Sequence, residues 1–160
     1  MNGLCATTTY KDACIKSLSS LTRNSGNNNP QQYFKSGINM ALDEITKASY
    51  LPNTLLPKAN SKRATSALTT CKELLEQSID RLKMASDQVG VGDLHSTLKD
   101  PTAILNLRLE LGDVNTFSTN CLDEFVEAHD PQLQQLMQDG ITNAKELAVN
   151  MLDVVSTYQF

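Results

Sequence analysis

The residues of this chain with the clearest chemistry are its four cysteines, Cys5, Cys14, Cys71 and Cys121. Eight residues separate Cys5 from Cys14, whereas paired zinc ligands are usually about two to four residues apart. Neither His95 nor His129 lies at ligand spacing from a cysteine. The cysteines therefore predict disulfide bonds and no structural metal site.

Four cysteines allow three connectivities, and the sequence alone does not choose among them. Cys71 and Cys121 each lie on the apolar stripe of a long helical segment, and two facing helices can bring such positions within bridging distance. We therefore favour the pairs Cys5–Cys14 and Cys71–Cys121. Loop entropy predicts that they stabilise the fold by roughly 2.5 to 3 and about 4 kcal/mol. An even number of cysteines indicates an oxidising compartment.

The motifs of common enzyme classes are missing from the sequence. Glu127 and His129 are the nearest match to a di-iron or zinc motif, and their spacing is wrong for one helix face. Gly90 and Gly92 follow a helical segment instead of preceding one, so they do not form a phosphate loop. His95 also lies in a linker and, like His129, is interpreted as a solvated histidine. We predict a protein that is not an enzyme and holds no cofactor or metal.

Length and composition predict a single domain over residues 1–160. Hydrophobic residues make up 40% of the chain and charged residues 20%, as in globular proteins. No apolar run is long enough to cross a bilayer, and the net charge of -4 offers no basic surface for nucleic acid. We expect neither a membrane nor a nucleic-acid partner, and a basic protein would suit this charge. The start of the chain does not read as a signal peptide, so Met1 is expected to replace a removed leader if the protein is secreted.

Helical spacing predicts an N-terminal arm within residues 1–30 and a helical bundle over residues 31–160. The arm reads as a helix to about Leu21, followed by an asparagine-rich connection from Arg23 to Pro30. The first bundle helix begins at about Gln31 and is interrupted by Pro52. The domain is thus predicted to be all-α.

Start signals predict the next three bundle helices. Ser61 is a good N-cap, and the dipeptides Asp100-Pro101 and Asp130-Pro131 each combine a capping residue with proline at the first helical position. The leucines from Leu105 to Leu111 also alternate as in a strand, so an extended segment there stays open as an alternative. The apolar residues predicted to face the core from the second and third helices are Ala64, Ala67, Cys71, Leu74, Ile79, Leu82, Ala85, Ile104, Leu107, Leu111, Val114, Cys121 and Phe125. Four such helices joined by short links predict an up-down-up-down bundle.

Several strings resemble the plant invertase and pectin methylesterase inhibitor family. The stretch from Cys5 to Cys14, continuing into Ser17-Leu18, is similar to the opening of that family. The string from Thr119 to Phe125 resembles the fourth-cysteine motif, in the form common among inhibitor-like pro-regions of plant pectin methylesterases. The spacing from Phe34 to the last two cysteines also fits, so the resemblance spans nearly the whole chain.

The resemblance implies an N-terminal helical hairpin bridged by the first two cysteines, and a second bridge between bundle helices two and three. Pectin methylesterase inhibitors of the family bind one enzyme molecule across its pectin cleft, chiefly through those two helices. They use a threonine just before the fourth cysteine and an aspartate two residues after it. Asp123 matches the aspartate, whereas Asn120 replaces the threonine.

Helical spacing predicts a polar face that could make such a contact. The candidate partner-binding residues are Thr116, Asn120, Asp123 and Glu127 on the third bundle helix, and Glu76, Asp80 and Lys83 on the second.

The resemblance predicts a secreted inhibitor of pectin methylesterase in the plant cell wall, monomeric when free and bound to the enzyme 1:1. One alternative is the inhibitory pro-region of a pectin methylesterase precursor. A second is an inhibitor of acid invertase, although the family's Pro-Lys-Phe string is missing between Gly90 and His95. A third is a helical carrier of a small apolar ligand, which the ordinary core composition does not favour.

Overall fold

A computed structural model describes residues 2–25, 29–158 and 160 and shows that they are helical or lie in short connections, without strands. The short 3-10 helices are Asn2–Leu4 and Leu56–Lys58. The α-helices are α1 (Lys11–Ser25), α2 (Pro30–Ser49), α3 (Leu51–Leu55), α4 (Lys62–Gly90), α5 (Leu94–Thr97), α6 (Pro101–Glu127) and α7 (Pro131–Thr157). The predicted all-α fold is confirmed. Within the described ranges, no helix is both long and apolar enough to cross a membrane.

The four long helices α2, α4, α6 and α7 form the bundle. Each packs against two neighbours in the ring order α2, α4, α6, α7, so α2 and α6 lie on a diagonal. Short links between consecutive helices produce this up-down-up-down arrangement. Helices α4 and α6 are neighbours and are joined by the Cys71–Cys121 disulfide, as predicted.

Side-chain caps begin the bundle helices at the predicted residues. Ser61 Oγ accepts a hydrogen bond from the Ala64 N–H at 3.0 Å. The carboxylates of Asp100 and Asp130 likewise accept backbone N–H bonds in the first turns of α6 and α7, both at 3.0 Å. Each cap accepts a hydrogen bond from a backbone N–H that has no acceptor inside the helix. The first residues of these helices are therefore determined by their immediate neighbours along the chain.

The predicted connection from Arg23 to Pro30 is wrong at both ends. Helix α1 continues through Ser25, because no glycine or proline interrupts it before Gly26. Pro30 is the first residue of α2, where its fixed φ suits the helix and its missing N–H is not needed. Residues 26–28, the middle of that connection, lie outside the described residues.

The leucine run from Leu105 to Leu111 is helical, so the alternative of an extended segment is wrong. Leu107 and Leu111 are completely buried, whereas Leu105 and Leu109 are 54% and 58% exposed. Each pair is spaced four residues apart, which places its members on one side of a helix. The alternation thus reflects two helical stripes, one buried and one in water.

Two of the residues predicted for the core of α4 are not fully buried. Leu74 and Ile79 are only half-buried, and the neighbouring residues Leu75 and Ser78 are the fully buried ones in this part of the helix. The prediction for α4 is therefore wrong at these two positions.

Helices α2 and α7 pack closely at Gly37. This glycine of α2 lies so close to Met151 of α7 that a Cβ there would collide with the methionine sulfur. The glycine therefore allows α2 and α7 to approach.

The N-terminal arm is closed by its own disulfide, Cys5–Cys14, and is held to α7 by polar contacts. Asn150 is fully buried, and its amide pairs with both backbone polar groups of Tyr10, at 3.0 Å to the N–H and 2.9 Å to the carbonyl. Asp153 accepts from the Thr9 N–H at 2.7 Å and from its hydroxyl at 2.8 Å. These contacts attach the arm to α7 of the bundle.

Replacing Asn150 by alanine is expected to lower the free energy of unfolding by about 1 to 3 kcal/mol. The reason is that the N–H and carbonyl of Tyr10 would lose the side chain that satisfies them. Urea denaturation measures the stability, and limited trypsin cleavage at Lys11 measures release of the arm. Asn143→Ala, at an exposed position of the same helix, is the control. Equal stability and equal cleavage of the two variants would contradict this role for Asn150.

Candidate protein-binding site

A strip of polar side chains runs along one exposed side of α6. Every member is exposed to water, and the spacings of four, three and four residues keep them on one side of the helix. We call this set the α6 strip; it consists of Thr116, Asn120, Asp123 and Glu127. On the other side of α6, Val114, Cys121 and Phe125 are completely buried.

The α6 strip lies on a rigid part of the bundle. Asn120 directly precedes Cys121, whose disulfide to Cys71 joins α6 to α4. Both cysteines are fully buried, so the covalent link holds the two helices together from beneath the exposed surface. Side chains on such a helix keep their relative positions better than side chains on a loop.

Two separate surface clefts lie between α4 and α6. Arg63 and Ser66 of α4 line the first, of about 430 Å³, together with Glu124 and Glu127 of α6. In the second, Arg81 Nε of α4 forms an ion pair with Asp113 Oδ2 of α6 at 2.9 Å. In both clefts α6 supplies the acidic residues and α4 the basic ones.

The second predicted set of site residues is exposed but turned away from the α6 strip. Arg81 marks the side of α4 that faces α6, and at 100° per residue Glu76, Asp80 and Lys83 lie roughly 100° to 160° around the helix from it. Ser86 marks the side that faces α2, because its hydroxyl donates to Asn39 at 2.7 Å. The bundle therefore brings the residues of the α6 strip together but does not place Glu76, Asp80 and Lys83, which we call the α4 set, beside that strip.

One functional candidate, the carboxyl group of Glu110, was missed at the sequence level. The residue is only 5% exposed and faces α4, where its Oε1 accepts from Gln88 Nε2 at 2.6 Å. Burial raises the pKa of this carboxyl from 4.5 to about 6. The available signal was its position between Leu107 and Val114 on the apolar stripe of α6.

The two histidines remain at the surface, and the structure gives them local roles. His95 is exposed, and its Nδ1 lies 2.9 Å from Gln31 Nε2 of α2. His129 adopts a positive φ of 54° just after α6, a conformation that ends helices. Among the residues that the structure describes, no group of three or more His, Cys, Asp or Glu could hold a metal ion.

Comparison with known proteins assigns this scaffold to a family. The family model for the plant invertase/pectin methylesterase inhibitor matches residues 1–154. The chain belongs to that family. Its fold, its cysteine pairs and the family match agree with the resemblance of the sequence strings.

Curated relatives of this inhibitor-family chain are larger proteins. Pectinesterase 1 of Arabidopsis thaliana is 26% identical over 163 residues, which cover 98% of this chain and 28% of the relative. Probable pectinesterase/pectinesterase inhibitor 21 of the same plant is 28% identical and covers 96% and 22%. Pectinesterase 3 of Phaseolus vulgaris is 26% identical and covers 98% and 26%. No solved structure matches the chain.

The chain thus corresponds to an inhibitor-type domain that spans between 22% and 28% of these relatives. Membership in this family indicates a role as an inhibitor or as a pro-region.

Proposed function

We propose that the chain inhibits pectin methylesterase by binding one enzyme molecule and covering its pectin-binding cleft. The observation that carries this proposal is the α6 strip, an exposed helical face supported by the Cys71–Cys121 bridge. Asp123 lies on it at the position where inhibitors of the family contact the enzyme. Inhibition by covering a cleft needs a rigid surface and no chemistry on the inhibitor.

The charge of the surface suggests what the partner presents. Asp123, Glu124 and Glu127 lie within one and a half turns of α6, and Arg63 of α4 is the basic residue that lines the same cleft as the two glutamates. An acidic surface is complementary to basic side chains and speeds association with them. We therefore propose that the contacted part of the enzyme is basic. The α4 set of Glu76, Asp80 and Lys83 would contribute only if the partner also wraps around the outer side of α4.

The test is to mix the purified, oxidised protein with plant pectin methylesterases at the acidic pH of the cell wall. We expect demethylesterification to fall as inhibitor is added and the two proteins to co-elute at a 1:1 ratio in size-exclusion chromatography. Acid invertase is assayed in parallel by sucrose hydrolysis. Inhibition of invertase alone would replace the proposed target, and failure to inhibit or co-elute with any esterase would refute the proposal.

A second candidate role is that of an inhibitory pro-region acting within one polypeptide. It is supported by the relatives, which are named as pectinesterases or as combined pectinesterase/pectinesterase inhibitors and are much longer than this chain. The same surface would then cover the esterase domain that follows it. The full reading frame distinguishes the two roles, because only a precursor continues into an esterase domain.

We also propose that the protein works outside the cell, in the plant cell wall. The support is that Cys5 and Cys14 are joined, as are Cys71 and Cys121, and no free cysteine is found in the described part of the chain. Structural disulfides of this kind persist in oxidising compartments. A fluorescent fusion of the full reading frame that stayed in the cytosol would contradict this location.

A further inference from the structure

Two buried oxygen atoms in the contact between α4 and α6 have no hydrogen-bond partner among the residues that the structure describes. They are Gln88 Oε1 and Glu110 Oε2, and they belong to side chains that are already joined by the 2.6 Å contact from Gln88 Nε2 to Glu110 Oε1. Glu110 is 95% enclosed, since only 5% of it is exposed. A buried polar atom without a partner is costly, so two in one pair call for a physical explanation.

If Glu110 is ionised, its carboxylate cannot give Gln88 Oε1 a hydrogen-bond donor, whichever way the amide of Gln88 is turned. An ionised carboxyl group only accepts hydrogen bonds, and so does an amide oxygen. An amide facing an ionised carboxylate can therefore use its N–H groups, but its oxygen stays without a donor. A proton on the carboxyl group changes this, because the resulting O–H can donate to the amide oxygen while the amide N–H donates to the other carboxyl oxygen.

We propose that Glu110 holds a proton in the folded protein and pairs with the amide of Gln88 as a neutral acid, which makes the contact between α4 and α6 dependent on pH. The pair of Glu110 and Gln88 lies within this chain, so its pH dependence does not rest on the proposed function.

The surrounding charges allow a neutral Glu110. Desolvation by burial is the largest influence on this carboxyl and raises its pKa to about 6, against 4.5 for an ordinary glutamate. A hydrogen bond from Gln88 to the ionised carboxylate acts in the opposite direction and lowers the pKa, as does the charge of Arg81, whereas the charge of Asp113 raises it. Arg81 and Asp113 form an ion pair at 2.9 Å, so their effects on the pKa of Glu110 largely oppose each other.

The sign of the pH dependence follows from this raised pKa. The folded state binds the proton more tightly than the unfolded state, so its stabilising effect is complete below about pH 4.5 and is lost as the pH rises through about 6. The difference between the pKa of Glu110 in the folded state, about 6, and its ordinary value of 4.5 corresponds to a roughly thirtyfold fall in the ratio of folded to unfolded protein as the pH rises through this range.

The first test compares urea unfolding from about pH 4 to about pH 7.5 for the wild type and Glu110→Gln. Glutamine keeps the shape of the protonated acid and its ability to donate. We expect Glu110→Gln to match the wild type near pH 4.5 and to lack the thirtyfold decline above it. Glu73→Gln, at an exposed position of α4, should decline as the wild type does. Parallel pH profiles of the wild type and Glu110→Gln would overturn the proposal.

A second measurement does not depend on a variant. Carbon-13 NMR of the side-chain carboxyl of Glu110 follows its titration directly in the wild-type protein. A midpoint near 6 is expected, together with a slowly exchanging carboxyl proton at lower pH. A midpoint near 4.5 would overturn the proposal, whether or not the protein inhibits an esterase.

Discussion

Replacing both Cys71 and Cys121 by alanine is expected to lower the free energy of unfolding by about 4 kcal/mol. The bridge spans 50 residues of sequence, and its main effect on the loop-entropy model is to restrict the unfolded chain. Stabilities of single domains are about 5 to 15 kcal/mol, so this loss is a large fraction of the total. Urea denaturation without reductant, followed by far-UV circular dichroism, measures it.

The other disulfide is the matched control. Cys5 and Cys14 are separated by only 9 positions, so the corresponding double alanine variant is expected to lose about 2.5 kcal/mol. Both pairs are buried, and both replacements remove the same atoms. A greater loss from the short pair than from the long pair would show that loop entropy does not govern these bridges.

The elements that the sequence predicted well are those determined locally. Ser61, Asp100 and Asp130 cap the first turns that follow them, and a cap needs only its own neighbours along the chain. The favoured cysteine pairing is also confirmed, and its argument used only the positions of Cys71 and Cys121 on the apolar stripes of two neighbouring helices.

One feature that the sequence did not predict depends on how the helices are rotated against one another. Glu76 and Lys83 lie away from α6, although their spacing shows only that they share a side of α4. Leu75 is a different case, because the buried residues Cys71, Leu75, Ser78 and Leu82 are spaced four, three and four residues apart on one helix face. Helical periodicity therefore already favoured Leu75 over Leu74 as a core residue.

Glu110 illustrates a second limit of sequence reasoning. A charged residue between two core positions is usually placed at the surface, because burial of an ionised carboxylate is costly. Whether it can be enclosed depends on Gln88, which comes 22 residues earlier and reaches it from another helix. The partner and the protonation state together make the position tolerable, and neither follows from local periodicity.

The remaining large effect is expected at Asp123, where replacement by arginine should weaken inhibition of pectin methylesterase by at least about thirtyfold. This prediction rests on the proposed function. Asp123 is exposed at the centre of the acidic α6 strip, and a basic partner surface would meet a like charge. Such repulsion, together with loss of the original contact, is expected to cost 2 kcal/mol or more.

Asp43→Arg is the matched control, because it makes the same change of charge at an exposed position of α2, the helix diagonal to α6. It should inhibit as the wild type does. Asp80→Arg adds a decisive comparison, since Asp80 is exposed on α4 but lies about 100° around that helix from Arg81. If the enzyme docks on the α6 strip, the inhibition constant should rise steeply for Asp123→Arg and little for Asp80→Arg. The reverse order, with all three variants equally stable to urea, would move the contact to the outer side of α4 and would contradict docking on the α6 strip.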